Sequence, residues 1–187
     1  MSNLTANFYW GNKILPFLRY LTLYSFRKYN PKCKMNLYFP KKLQENRSWT
    51  SPEHEIEMVG KDYFDKLEDL NISLIPFDME DFGLSNEISE VKKADFLRWH
   101  LLSSERSLWS DMDILYVKTL IGFEKRNTIS IHNGIWSIGF LTSTSAHMFF
   151  KYLYKRAFEC INENEYQSIG SLMLKNIFGG TRTRASR

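Results

Sequence analysis

The chain of 187 residues predicts an α/β fold, a mixed and mostly parallel sheet flanked by helices. Two observations carry that expectation. The amino end reads strand, helix, strand, the unit whose crossover connection makes neighbouring strands parallel. Further on, Asp111-Met112-Asp113 lies between apolar, β-favouring runs, Leu108-Trp109 before it and Ile114 to Val117 after it, as in a buried strand interrupted at its end.

The elements follow in order. Ala6 to Trp10 is a short first strand, stopped by the turn pair Gly11-Asn12. Ile14 to Tyr29 has helical spacing through Ile14, Leu18, Leu21 and Ser25, and Asn30-Pro31 ends it. Met35 to Phe39 is a second strand, closed by Pro40. Residues 41–52 are polar and read as a loop. Lys61 to Leu70 reads as helical, Ile72 to Pro76 as a third strand, and the acidic stretch Phe77 to Asn86 as a mobile loop. Glu87 to Ser104 is the clearest central helix, with Ile88, Val91, Phe96, Trp99 and Leu102 near helical spacing. Ile129 to His132 and Ile135 to Leu141 are strands joined by Asn133-Gly134, a hairpin-favouring pair. Ser143 or Ser145 is expected to cap a helix running to Ile161.

Composition bounds the rest. With 43% hydrophobic and 16% aromatic residues, residues 1–178 are expected to form one domain. The Arg-rich segment 179–187 lacks apolar periodicity and reads as a flexible basic tail. A net charge of +4, spread along the chain, is a mild attraction to anions and predicts no nucleic-acid partner. Contact with a membrane surface through Lys28, Lys32 and Lys34 is open but not predicted. The first residues lack the basic-then-apolar order of a signal peptide, and Ile14 to Phe26 is too short to span a bilayer, so the expected location is cytoplasmic. Cys33 and Cys160 read as two reduced thiols.

Two ionised carboxylates in apolar surroundings need a partner, because an unpaired buried charge costs several kcal/mol or is neutralised by a pKa shift. A hard divalent cation held through oxygen supplies one. A calcium-binding EF-hand loop is excluded, since its sixth and twelfth positions hold Tyr116 and Gly122. A zinc-protease motif fails at Met58, where a second His would follow His54-Glu55. No Gly-rich phosphate loop ending in Lys-Ser/Thr and no Gly-x-Ser-x-Gly elbow is present. Simpler readings stay open at this point. Asp111 and Asp113 suit a strand-end turn, Asp95 and Arg98 a surface ion pair, and Trp10, Trp99 and Trp109 a core.

The helix Val91-Lys-Lys-Ala-Asp-Phe-Leu-Arg-Trp-His-Leu-Leu102 followed by Trp109 and Asp111-Met112-Asp113 resembles a known family. This is the GT-A type glycosyltransferases with a DXD-containing sugar-binding region, the capsular-polysaccharide and mannosyltransferase-like group. Its pattern is Ala-x-Asp or Ser-Asp on a helix, Arg two or three residues on, a Leu pair, and a short aromatic strand into Asp-x-Asp. Ala94-Asp95, Arg98, Leu101-Leu102, Trp109 and Asp111 to Asp113 stand in that order, and Phe8-Tyr-Trp-Gly11, Ser25 and Asn30-Pro31 are similar to the group's opening. The resemblance covers residues 6 to 175.

The resemblance implies a GT-A, Rossmann-like sheet and a metal-dependent transfer of a hexose from a nucleotide-sugar donor to a glycan or other hydroxyl acceptor, with retention of configuration. It implies Mn²⁺ or Mg²⁺ on Asp111 and Asp113, which stabilises the departing nucleoside diphosphate. Donor contacts are expected from Tyr9, Trp10, Gly11, Asp95, Arg98 and Asp111, and an acceptor-side contact from Asn133. Two departures bear on activity. Arg106-Ser107 replaces the family's usual Gly-Gly, and the family commonly runs longer, with a C-terminal His or Trp where this chain has no His after His147. A shortened carboxyl end, and a catalytically inactive nucleotide-sugar-binding module of the same fold, are therefore the alternative expectation.

Overall fold

The computed structural model describes residues 4–42, 50–51, 54–55, 61–162 and 164–179. Its elements run β1 (Thr5–Tyr9), α1 (Phe17–Tyr29), β2 (Lys34–Pro40), β3 (Thr50–Ser51), β4 (His54–Glu55), β5 (Ser73–Phe77), α2 (Glu90–Ser104), β6 (Ser107–Ser110), β7 (Thr128–His132), β8 (Ile135–Ser143), α3 (Met148–Cys160) and α4 (Ser171–Phe178). β3 and β4 pair as a small antiparallel ribbon. The other six strands form one sheet in the order β5-β2-β1-β6-β8-β7. β1, β2, β5 and β6 are mutually parallel, while β8 runs antiparallel to β6 and β7 antiparallel to β8. The sheet is therefore mixed and mostly parallel, flanked by helices, as the strand–helix–strand opening predicts.

Side-chain alternation on β1 divides two cores. Ala6, Phe8 and Trp10 point to the α1 side, where Leu15, Leu23, Phe26, Met35 and Leu37 pack. Tyr9 points to the opposite side with Phe96, Trp99, Leu102, Phe150, Leu153 and Met173 from α2, α3 and α4. Both faces of the sheet are thus covered, which a parallel sheet requires.

Several boundaries differ from expectation for identifiable reasons. α1 begins at Phe17, not Ile14, because Pro16 is extended at the N-cap while Ile14 N–H bonds Asn12 Oδ1 and Leu15 N–H bonds Asp62 Oδ1. The segment expected as a helix over 61–70 is a 3₁₀ helix, Phe64–Leu70, ended by Asn71 in the left-handed region. The acidic stretch expected as a mobile loop is pinned. Met79 is fully buried and its N–H bonds Asn86 Oδ1, while Asp78 caps a short 3₁₀ turn by accepting from Glu80 N–H. The cap of α3 is His147, whose Nδ1 accepts from Phe149 N–H at 3.2 Å; Ser143 lies in β8 and Ser145 outside the helix. α4 has no counterpart among the expected elements. Residues 43–49 and 52 of the expected loop, and 180–187 of the expected tail, fall outside the described residues.

Cys33 and Cys160 are free, and the Cys33 thiol donates to Leu4 O at 3.0 Å. No helix among the described residues is long and apolar enough to cross a membrane.

The chain order creates one special place. From β1 the chain steps outward to β2 and β5, then returns to β6 on the other side of β1. Open α/β sheets bind ligands outside the carboxyl ends of the strands at such a switch point. Here those ends are Tyr9-Trp10-Gly11 and Ser110-Asp111.

α2 carries Asp95 and Arg98 to this place, and its start depends on Ser89, whose hydroxyl accepts from Lys92 N–H. Ser89→Ala is expected to cost about 1 kcal/mol. Urea denaturation followed by circular dichroism measures it; an unchanged midpoint would show that the cap is dispensable.

Candidate functional site

β6 is four buried residues long, and the chain is held firmly where it leaves the sheet. Asp111 N–H bonds Gly139 O of β8 at 2.7 Å, one residue past the strand. Ser110 Oγ donates to Asp111 O and accepts from Tyr116 Oη at 2.7 Å, while Tyr116 N–H bonds Ser25 Oγ of α1. Met112, which separates the two carboxylates in sequence, is buried in the core on the α1 side of the sheet. Ile114 to Val117 is therefore not a continuation of the strand; the chain turns away across α1.

Beneath the turn lies Arg98, 3% exposed. Its Nη2 donates to Asp111 Oδ1 at 2.8 Å, and its Nη1 lies 3.0 Å from Asp95 Oδ1 as an ion pair without hydrogen-bond alignment. The guanidinium stands 5.1 Å above the Trp109 ring, and Trp109 Nε1 donates to the same Asp111 Oδ1 at 2.8 Å. Asp95 and Arg98 are thus a buried pair, not a surface one.

The pair is incompletely satisfied. Asp95 Oδ2 and Arg98 Nε and Nη1 have no hydrogen-bond partner among the described residues. Burial is the main reason that the Asp95 carboxyl is raised from 3.8 to about 6; Arg98 opposes the shift and Asp111 adds to it. Asp113 is exposed at the turn, yet partial desolvation and then the charge of Asp111 raise it above its ordinary value, while Arg19 and Arg98 oppose.

Two glycines press against these carboxylates. A Cβ on Gly139 of β8 would come within 3.0 Å of Asp111 Oδ2, and one on Gly170, which precedes α4, within 2.7 Å of Asp95 Oδ2. A lone Gly inside the β8 pattern was a sequence signal of close approach; Gly170 carried none, because α4 itself was not anticipated.

The remaining candidates are placed as follows. Tyr9 is buried and its hydroxyl donates to Glu90 of α2, whose other oxygen pairs with Lys93 Nζ at 2.7 Å. Glu90 and Lys93 were not singled out from the sequence. Gly11 is glycine because Glu90 occupies the space of a Cβ there. Trp10 is 1% exposed, with its indole N–H bonded to Ile14 O at 2.8 Å, so its ring is core and floor, not an open face for a base. The guanidinium of Arg19 lies 5.6 Å over that ring. Asn133 has φ 50 and Gly134 φ 76, the left-handed pair that a two-residue hairpin requires. Its turn lies on the same end of the sheet as Asp111, but on the order of 15 Å along β8 from Gly139 at ~3.3 Å per residue.

A divalent cation fits what is present. Asp111 Oδ1 is committed to Arg98 and Trp109, whereas no described residue bonds Asp111 Oδ2, and the Asp113 carboxylate is open. Three carboxylates around one guanidinium leave two negative charges. No group of three or more His, Cys, Asp or Glu side chains suited to a metal occurs among the described residues. Such a sparse carboxylate set suits an ion that completes its shell with phosphate oxygens and water.

No protein-family model matches the chain, and no curated protein matches it in sequence. Solved structures do. PaToxG glycosyltransferase superposes with a TM-score of 0.62 at 14% identity, covering 93% of this chain and 68% of that one. The apo-form glycosyltransferase GlyE of Streptococcus pneumoniae gives 0.51 at 12% identity, over 95% of this chain and 44% of that one, so this chain spans under half of GlyE's length. Galactosyltransferase LgtC, solved with donor and acceptor sugar analogs, gives 0.48 at 15% identity. The fold is thus a Rossmann-like glycosyltransferase fold. At these identities the likeness speaks for fold alone.

Two outcomes test the buried pair. Arg98→Met leaves Asp95 and Asp111 without their cation and is expected to cost about 3–5 kcal/mol in urea denaturation; a loss under 1 kcal/mol would contradict the pairing. The folded Asp95 holds its proton more tightly than the unfolded chain does, so its contribution to stability falls as pH rises from 3.8 to about 6. Asp95→Asn, compared with the parent in EDTA across that range, should gain relative stability as pH rises, and parallel curves would refute the shift.

Proposed function

We propose that this chain is a divalent-metal-dependent glycosyltransferase that moves a hexose from a nucleotide-sugar donor to a glycan or other hydroxyl acceptor. The observation that carries this reading is the placement of Asp111 and Asp113 at the switch point of a sheet with a glycosyltransferase fold. Asp111 Oδ2 and the Asp113 carboxylate are the groups that would hold Mn²⁺ or Mg²⁺. When bound, such an ion acts as a Lewis acid toward the diphosphate leaving group.

The chain's own residues prepare the site for that role. Arg98 fixes Asp111 through Oδ1 and leaves Oδ2 turned away from the fork. Trp109 holds the same oxygen from the strand side, so the carboxylate has one orientation. Asp95 and Arg98 contribute unmet hydrogen-bonding capacity, an acceptor oxygen and two donor nitrogens, which a sugar hydroxyl, donor and acceptor at once, matches. Asp95 Oδ2 is enclosed by the Gly170 turn, so a hydroxyl reaches it only as that turn yields. The Tyr9–Glu90–Lys93 contacts tie α2 to β1 beside Gly11 and hold the floor of the donor side. Asn133 stands at the rim, where a large acceptor rather than the donor would meet it. Retention of configuration is part of the proposal through the resemblance, and no nucleophile is assigned.

Calorimetry of UDP, GDP and CDP with and without Mn²⁺ tests the reading. One nucleotide should bind in a metal-dependent way, and Asp113→Ala should weaken it by at least about tenfold, the equivalent of one charge-assisted contact. Metal-independent binding, or an Asp113→Ala variant that binds like the parent, would overturn the site. Hydrolysis of the matching nucleotide sugar by the chain separates an enzyme from an inactive binding module of the same fold.

A further inference from the structure

A second cation stands at the switch point, and nothing in the site described so far uses it. Arg19 lies in the first turn of α1, its N–H bonded to Pro16 O at 3.0 Å. Its guanidinium lies over the Trp10 ring at 5.6 Å. That ring cannot swing away, since its N–H is bonded to Ile14 O at 2.8 Å and its body is packed in the α1 core. Trp10 is therefore a fixed platform that keeps a positive charge at the carboxyl end of β1. Asp113 follows the carboxyl end of β6, the strand that pairs in parallel with β1, so the two strand ends lie side by side. Yet the Arg19 side chain makes no hydrogen bond and no ion pair with any described residue, and it is partly exposed. Its N–H donors, a planar fork suited to oxyanions, are free for a ligand.

Charge bookkeeping says what that ligand is. Of the other buried cations nearby, Arg98 is committed to Asp95 and Asp111 and Lys93 to Glu90, while Lys92 lies on the α2 side of the sheet. Asp95, Asp111 and Asp113 set against Arg98 leave two negative charges, which one divalent cation balances. A diphosphate brings at least two further negative charges and needs a protein cation of its own. Arg19 is placed to be that cation, on the β1 side of the switch point opposite the Asp113 turn.

We infer that Arg19 is an anion subsite that takes diphosphate oxygens of a nucleotide-sugar donor beside the cation-binding carboxylate of Asp113. This rests on the function proposed above. It adds a residue from α1, on the far side of β1 from the Asp95–Arg98 fork, so that the diphosphate lies between two helices rather than against one. Arg19 binds the leaving group; Trp10 positions it.

The test uses the full chain with Mn²⁺ at a fixed concentration and compares UDP and GDP with uridine and guanosine by calorimetry. Arg19→Gln is expected to weaken the bound diphosphate by about tenfold to a hundredfold, the range of one charge-assisted contact, and to leave the nucleoside unchanged. Arg19→Lys should recover part of the loss. Titration with Mn²⁺ alone should show equal or tighter metal binding in Arg19→Gln, because a neighbouring positive charge is gone; a fold disturbed at Trp10 would weaken both. Equal diphosphate binding by the parent and Arg19→Gln overturns the subsite. So does an equal loss for nucleoside and diphosphate, which would make Arg19 a support for the base or for the Trp10 platform. A parent chain that binds neither UDP nor GDP in the presence of Mn²⁺ would instead remove the function on which the subsite rests, a result distinct from either.

Discussion

The guanidinium of Arg98, enclosed by two carboxylates and an indole, is the contact on which the rest of the site depends. Without it, Asp95 and Asp111 would be two like charges in a place with little water. With it, α2 is joined to the end of β6, and the orientation of Asp111 follows. A buried ion pair of this kind adds little net stability, because desolvation offsets most of its Coulomb energy. What it supplies is position. Stability comes from the apolar clusters on the two faces of the sheet, which hold Phe96, Trp99 and Trp109 on one side and Phe8, Trp10 and Phe26 on the other.

α2 shows the consequence of carrying polar ties on a buried element. Nearly all of it is enclosed, including Glu90, Lys92, Lys93, Asp95 and Arg98. Its amino-terminal turn is fastened to β1 through Glu90 and Tyr9, and its middle to β6 through Arg98. The helix therefore cannot slide relative to the two strand ends that make the switch point. Asp95 Oδ2 and the Arg98 nitrogens stay unsatisfied under the carboxylate turn; other unsatisfied buried atoms, Asn7 Nδ2, Asn36 Oδ1 and Ser107 Oγ among them, lie elsewhere in the described residues. A buried polar atom of this kind calls for a partner, which a ligand hydroxyl or an ordered water supplies.

Much of the fold was legible in local pattern. Alternation on Ala6 to Trp10, helical spacing before Asn30-Pro31, and the turn chemistry of Asn133-Gly134 each act over a few residues, and each element formed within a few positions of where it was expected. The errors arose where a distant partner decided. Met79 holds the acidic stretch in place because it finds a core pocket, and α4 packs against β8, a contact no local period announces. At the site, the order Ala94-Asp95, Arg98 and Asp111-Met-Asp113 pointed to a strand end that the fold places at the switch point of the sheet. Tyr9 and Trp10 stand at the neighbouring strand end, but their rings turn into the core, and Asn133 owes its backbone conformation to the hairpin.

The sequence by itself determined the residue chemistry, two acids at a strand end, a helix bearing Asp95 and Arg98, and the periods that make strands and helices. Those are local properties, set by side-chain alternation and by backbone preference. Only the tertiary structure decided that the chain returns to β6 beside β1, and so put the two carboxylates past a strand end that adjoins the end of β1. It also decided that Asp95 and Arg98 form a buried fork and that Gly139 and Gly170 face the carboxylates. The reason is that burial and Coulomb interaction depend on distance in space, and residues 19, 98, 113, 139 and 170 become neighbours of one site only when the sheet is assembled.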